Sequence, residues 1–246
     1  MLPTILATRR RFPATNSVMF RRIVFSACLA GLVAGLVLTV VQSFQVLPLI
    51  NKAESYEVGD VSEHTHEVND NAVQDKQHWT ANNDVERLLW TAVANIGMAA
   101  GFALLLVAAF SLRGTVTILG GSVWGLAGFV VFFANPSLGM SPGLPGVEGA
   151  GLESRQAWWV LAVTLTAIGL ALVFLTTTLL IRFIGFGLLF VPHLVGSPQP
   201  IPIPPSGPPE ELFTAFFVAT AIANILFWLT LGSTSAFFWR LFNKVT

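Results

Sequence analysis

The residues best suited to chemistry are concentrated in one acidic segment, residues 45–87, which holds nine of the thirteen carboxylates and three of the four histidines. Imidazole and carboxylate groups are ligands for divalent first-row metal ions, and surrounding negative charge raises the local concentration of such ions. In an extended chain, two histidines separated by one residue point to the same side and can bind one ion. The segment therefore predicts a divalent metal site. Its candidate ligands are Glu63, His64, His66, Glu67 and His78.

This histidine spacing is not a specific signature, because it lacks the helix-face geometry of a spacing of four and a defined third ligand. The alternative is a solvated acidic loop whose histidines bind no ion. The fourth histidine, His193, follows Pro192 at the end of an apolar segment, where an ionisable group is costly unless it has a partner. We include His193 as a metal-site candidate on an ion pathway, with Arg182 as its neighbour. The alternative for His193 is a position at the cytoplasmic membrane interface.

The elements that must position these residues are apolar helices. The chain is 54% hydrophobic and 11% charged, whereas about 25% of the residues of a soluble domain are charged. A helix that crosses the hydrocarbon core of a bilayer needs about 20 apolar residues. Five runs meet this requirement: residues 23–41, 88–112, 115–134, 157–181 and 212–231. The sequence predicts an all-α integral membrane bundle of about five transmembrane helices, formed by residues 19–246 as a single membrane domain after an N-terminal extension, residues 1–18.

Basic residues before the first run predict its orientation. They are Arg9, Arg10, Arg11, Arg21 and Arg22. They place the N-terminus in the cytoplasm, residues 45–87 outside, and the Pro-rich residues 198–209 inside. A cleavable signal peptide is the alternative for the first run, but no small-x-small cleavage pattern follows Val41, which favours a retained anchor. Met19 is an alternative start of the chain.

A shorter apolar stretch, residues 183–195, leaves the number of crossings open. It has 13 residues and contains Pro192, so we expect a re-entrant or interfacial segment rather than a sixth span. Five spans would leave Arg240 and Lys244 outside, on the side that basic residues disfavour. A sixth crossing by this stretch would remove that conflict.

Small and polar residues within the runs predict how the helices pack. Close backbone approach through small residues brings helices together in lipid. Glycines four apart therefore indicate packing faces: Gly31 and Gly35, Gly97 and Gly101, Gly121 and Gly125. Some spans also contain amides and hydroxyls: Gln42, Gln45, Asn95, Thr164, Thr166 and Asn224. We favour interhelical hydrogen bonding for these side chains over a polar path through the membrane.

Several function classes are disfavoured by what the sequence lacks. It contains no P-loop, no H-E-x-x-H motif and no nucleophile elbow, so we expect neither an enzyme nor a bound organic cofactor. No basic stripe indicates nucleic acid. The single cysteine, Cys28, excludes an intrachain disulfide and is expected to pack as a small hydrophobe.

Several co-linear motifs resemble the predicted cobalt transporter subunit family CbtA of bacteria, and the similarity spans residues 19–246 in order. The main matches are Met19-Phe20-Arg21-Arg22-Ile23, Gln45-Val46-Leu47-Pro48-Leu49-Ile50, His64-Thr65-His66, Trp124-Gly125-Leu126-Ala127-Gly128-Phe129, Arg155-Gln156-Ala157-Trp158-Trp159 and Pro192-His193-Leu194-Val195-Gly196. The resemblance implies a five-span bacterial inner-membrane protein that imports Co²⁺, often with CbtB, a small histidine-bearing membrane subunit.

From the loop chemistry and the resemblance together we predict a membrane subunit for divalent metal uptake, with Co²⁺ as the transported ion and the acidic loop as its collector. Its surroundings would be membrane lipid and a CbtB-like partner. The alternative is a non-transporting scaffold or accessory subunit of a larger membrane complex, in which the acidic loop is a docking surface. A membrane enzyme is the third choice, because no catalytic constellation is visible.

Overall fold

The helical architecture appears in a computed structural model that describes residues 14–63, 84–114, 116–144, 147, 149–198 and 208–244. In these residues the regular elements are helices and no strand occurs, which confirms the all-α prediction. The helices are α1 Ala14–Gln45, α2 Leu47–Glu63, α3 Asp84–Arg113, α4 Ile118–Phe129, a π-helix Val130–Ala134, α5 Asn135–Gly139, α6 Leu152–Leu175, α7 Leu179–Leu188, α8 Val191–Val195 and α9 Glu210–Lys244.

The prediction of five membrane-spanning helices is confirmed. Helical stretches long and apolar enough to cross a membrane are Ser17–Gln45, Val85–Arg113, Ile118–Gly139, Leu152–Leu175 and Glu210–Asn243. The third is a composite of α4, the π-helix and α5, because Pro136 has no N–H group and the wider π turn lets the chain continue past it. The fourth ends at Leu175, earlier than predicted, because Thr176 takes an extended conformation (φ −106°, ψ 157°).

Close contacts between small residues hold the bundle together. Gly31 and Gly35 of α1 lie against the α3 backbone, and an added Cβ on either would come within 2.6 Å of it. On α4, Gly121 and Gly125 lie against the α9 backbone at Gly232 and Trp228. These two predicted packing faces are confirmed. Gly97 and Gly101 of α3, the third predicted face, are exposed, and no described atom lies within 4 Å of a Cβ added to either.

The helices share two ends, which we name after residues of α1. At the Arg22 end, Arg22 Nη1 donates to Asn243 Oδ1 at 3.1 Å and joins the start of α1 to the end of α9. At the Gln45 end, Gln45 and Glu210 line one groove. The helices α1 and α9 are therefore antiparallel, and Arg240 lies towards the same end of the bundle as Arg22.

The short helices α7 and α8 run back along α6. Gly185 of α7 packs against Gly169 in the middle of α6, where an added Cβ would lie 2.6 Å from the Gly185 carbonyl oxygen. Further along, the Trp158 indole near the start of α6 donates to the Pro192 carbonyl oxygen at 3.2 Å. Residues 183–195, expected to form a re-entrant or interfacial segment, thus belong to a broken helix that runs back along α6 from its middle to near its start.

This broken helix changes the number of passes through the bundle. Five long helices and the α7–α8 pair make six, so the chain begins and ends at the Arg22 end. The conflict over Arg240 disappears. The chain leaves α8 at Val195 and enters α9 at Glu210 at the Gln45 end, whereas the Pro-rich residues 198–209, of which 199–207 lie outside the described residues, were expected on the opposite side from residues 45–87.

Candidate functional site

The structure describes the two ends of the predicted acidic loop. His64, His66, Glu67 and His78 lie outside the described residues, and Glu63 ends α2 with only its backbone described. The described ends of this acidic loop are fixed to each other.

That attachment is an ion pair between α2 and the first turn of α3. Arg87 Nη2 lies 2.8 Å from Glu54 Oε1, and Arg87 Nη1 donates to Asn51 Oδ1 at 3.2 Å. Because α2 follows Gln45 directly, the loop leaves and re-enters the described chain at the Gln45 end.

His193 lies at this same end, in the broken helix. A turn at Leu189 and Phe190 separates α7 from α8, and Pro192 occupies the first turn of α8, where its missing N–H costs little. Gly196, with a φ of 86°, ends α8 in a conformation that favours glycine. The half-buried His193 ring therefore projects from a one-turn helix held between two irregular segments.

A hydrogen-bonded chain links His193 to the middle of α6. His193 Nε2 lies 3.1 Å from Asn135 Oδ1, on the residue that follows the π-helix. The Asn135 amide nitrogen donates to Thr166 Oγ1, and that hydroxyl donates to the Ala162 carbonyl oxygen at 2.6 Å. Asn135 and Thr166 are both buried. Three helices, α5, α6 and α8, thus meet around one short polar chain.

Trp158 and Gly139 close the site on one side. The Trp158 ring packs edge-on to His193 with centroids 6.1 Å apart, while its indole N–H binds the Pro192 carbonyl oxygen. A Cβ on Gly139 would lie 2.5 Å from the Trp158 ring and 3.3 Å from His193 Nδ1. This position therefore requires glycine.

The structure corrects two expectations about His193. Arg182 is not its neighbour: the Arg182 Nε atom donates to the Thr176 carbonyl oxygen at 2.9 Å, near the other end of α7. His193 does not lie at the end of the bundle that holds Arg21 and Arg22 either, where the alternative of a cytoplasmic interface would have put it, because it sits at the Gln45 end. Its actual partner, Asn135, was missed, although an amide directly before Pro136 at the end of an apolar run was a visible signal.

A second polar contact joins α3 to α1. The Asn95 amide donates to Thr39 Oγ1 at 3.1 Å and to Gln42 Oε1 at 2.7 Å. For Asn95 and Thr166, the prediction of interhelical hydrogen bonding is confirmed.

The ligand set at the Gln45 end is sparse. Nowhere in the described ranges do three His, Cys, Asp or Glu side chains gather around a common point. His193 contributes one imidazole, and its surroundings contribute an amide and a hydroxyl. A groove of about 810 Å³ opens at the same end, with the exposed carboxylates of Glu210 and Glu211 among its lining residues. The described residues at this end thus offer one imidazole and two carboxylates that do not converge on a common point.

Comparison with known proteins gives one match. The family model CbtA, described as a probable cobalt transporter subunit, matches residues 20–240. No curated protein and no solved structure matches the chain.

Proposed function

The chain belongs to the CbtA family of probable cobalt transporter subunits, and from this membership we propose that it is a membrane subunit for the uptake of divalent metal, with Co²⁺ as its ion. The observation that carries the proposal is the position of His193. The half-buried His193 imidazole is held by a buried amide at the end of the bundle where the described ends of the acidic loop are attached. The described ends of the acidic loop and His193 lie at the same end of the bundle, which supports the proposal.

In the proposed sequence of events, the acidic loop collects the ion outside the cell through His64, His66 and His78, with Glu63 and Glu67 beside them. The carboxylates of Glu210 and Glu211 add negative charge at the same end. The ion then passes to His193. Few and exchangeable ligands keep the ion from being trapped on the way.

The proposed location is the bacterial inner membrane. The Arg22 end, where Arg21 and Arg240 also lie, faces the cytoplasm in this orientation, as the distribution of basic residues favours. Residues 19–246 then act as one membrane domain that works with a small CbtB-like membrane partner. The chain is proposed as a non-enzyme.

The proposal is tested by uptake of radiolabelled Co²⁺ into cells that express the chain, with the small partner supplied. The wild type is compared at matched membrane abundance with a His64→Ala, His66→Ala variant. The matched control is Gln74→Ala with Gln77→Ala, which removes two neutral side chains from the same loop. We expect reduced uptake in the histidine variant alone. Wild-type uptake no greater than that of cells without the protein would overturn the proposal.

The second candidate is a non-transporting scaffold subunit. It is favoured by the exposed pair Gly97 and Gly101 on α3, a surface that suits close contact with another helix. A scaffold predicts co-purification with a large membrane complex and no metal-dependent phenotype in the histidine variant.

A further inference from the structure

We infer that Asn135 is a positioning residue that fixes the tautomer of His193 and presents its Nδ1 atom to the ion. The identity of the ion rests on the proposed function. The assignment of the nitrogen rests on the hydrogen bonds alone.

Thr166 sets the direction of these bonds. Its hydroxyl donates its only proton to the Ala162 carbonyl oxygen, which can only accept. Thr166 Oγ1 must therefore accept from the Asn135 amide nitrogen. This turns the Asn135 oxygen towards His193 Nε2, at 3.1 Å. An amide oxygen can only accept, so Nε2 carries the proton.

A neutral imidazole protonated at Nε2 keeps its free electron pair at Nδ1, the nitrogen that can bind a metal. The Nδ1 atom lies beside Gly139, where an added Cβ would be 3.3 Å from it. Metal-bound histidines usually donate their other N–H to a carboxylate or a carbonyl, which fixes the ring. At His193 the amide oxygen of Asn135 is this hydrogen-bond acceptor.

The backbone on both sides is shaped for this contact. The π-helix ends where Asn135 begins, and π turns inside α-helices occur frequently at functional sites. On the opposite side, the Leu189–Phe190 turn lets α8 bring His193 towards α5. Discontinuous helices form the ion sites of many transporters. The π-helix and the Leu189–Phe190 turn are therefore two separate departures from a regular α-helix that together bring Asn135 and His193 into contact.

The first experiment reads the protonated nitrogen directly. In a His64→Ala, His66→Ala, His78→Ala chain, His193 is the one histidine left of four. The full chain, with a histidine-free affinity tag and nitrogen-15 in its imidazole, is reconstituted in lipid for NMR at an alkaline pH, at which imidazole is neutral. We expect a proton on Nε2 and none on Nδ1. A predominant Nδ1–H form would overturn the inference.

Addition of Zn²⁺, a d¹⁰ substitute for Co²⁺, then identifies the binding atom. We expect the Nδ1 resonance to shift while Nε2 stays protonated. A zinc-induced loss of the Nε2 proton, or no zinc-dependent change at either nitrogen, would contradict Nδ1 as the ligand.

Variants separate positioning from a merely structural role. Asn135→Leu removes the amide oxygen at similar size, so we expect both tautomers and roughly ten- to hundred-fold weaker zinc binding. Asn135→Asp keeps an acceptor facing Nε2 and should restore the wild-type tautomer and zinc binding at Nδ1. If the leucine variant does not fold, Thr166→Val frees the Asn135 amide to turn and should also mix the tautomers. An unchanged spectrum in whichever of Asn135→Leu and Thr166→Val folds would overturn the inference.

Uptake measurements keep this inference apart from the proposed function. In the full chain with all four histidines, Asn135→Leu should raise the KM for Co²⁺ more than it lowers the maximal rate. Zinc binding at Nδ1 without any cobalt uptake would overturn transport and leave the role of Asn135 in place. Cobalt uptake by a chain whose His193 carries its proton on Nδ1 would overturn the role of Asn135 and leave transport in place.

Discussion

Replacing Gly31 with alanine tests the close packing of α1 against α3. The added Cβ would lie 2.5 Å from the Ala100 Cα and backbone nitrogen, about 0.9 Å short of the ordinary contact limit of 3.4 Å. Both atoms belong to the backbone and cannot rotate away, so the two helices must separate. Overpacking of this kind costs roughly 1–3 kcal/mol.

The chain contains a matched control on the partner helix. Gly101 of α3 has no atom within 4 Å of an added Cβ, so Gly101→Ala introduces no clash. Alanine is favoured over glycine in a helix by about 0.5–1 kcal/mol, and this gain is common to both variants. We therefore expect Gly31→Ala to be less stable than Gly101→Ala by about 1–3 kcal/mol.

The assay is reversible unfolding of the purified variants in mixed detergent micelles, followed by circular dichroism. Equal stabilities of the two variants would refute the close approach of α1 and α3. Destabilisation by Gly101→Ala alone would show that this exposed face is covered by another helix in the intact protein.

Three further outcomes are expected. Arg21→Cys and Arg240→Cys, each in a Cys28→Ser background, should react with a membrane-impermeant thiol reagent from the same side of the membrane. The reason is that the chain passes through the bundle six times. Labelling from opposite sides would instead support five passes. Asn95→Leu removes the hydrogen bonds of this amide to α1 and should lower the unfolding free energy by about 0.6–1.7 kcal/mol in the same unfolding assay. An unchanged unfolding free energy would show that these bonds do not stabilise the packing of α3 on α1. Trp158→Phe deletes one indole hydrogen bond to the broken helix and should lower the unfolding free energy by about 0.5–1.5 kcal/mol. It should also increase hydrogen exchange in α8. Unchanged exchange in α8 would show that this bond does not hold α8 in place.

The five long helices were predictable because the thickness of the hydrocarbon core imposes a length on every continuous apolar run. That same criterion failed for α7 and α8, since it assumes one unbroken helix. The Leu189–Phe190 turn divides this pass into pieces of ten and five residues, and each is too short to be recognised. The signal of a sixth pass lay instead in the charge of Arg240, which five passes would have put on the disfavoured side.

The polar site was only partly predictable for a related reason. His193 stood out because an ionisable group in an apolar segment needs a partner. Its partner, Asn135, lies 58 residues away in sequence and meets it through the fold. Periodicity also could not tell which glycine pairs face inwards, because Gly31 and Gly97 occur in similar patterns and differ only in what lies opposite them.

The most direct test of the central claim is uptake of radiolabelled Co²⁺ by cells that express the wild type or His193→Gln at matched membrane abundance, with the small partner supplied. Glutamine retains a polar side chain of similar reach but has no imidazole. The account predicts protein-dependent uptake in the wild type and a fall of roughly ten-fold or more in the variant, comparable to the loss of a metal ligand or its support. Equal uptake by the two proteins would contradict an ion path through His193.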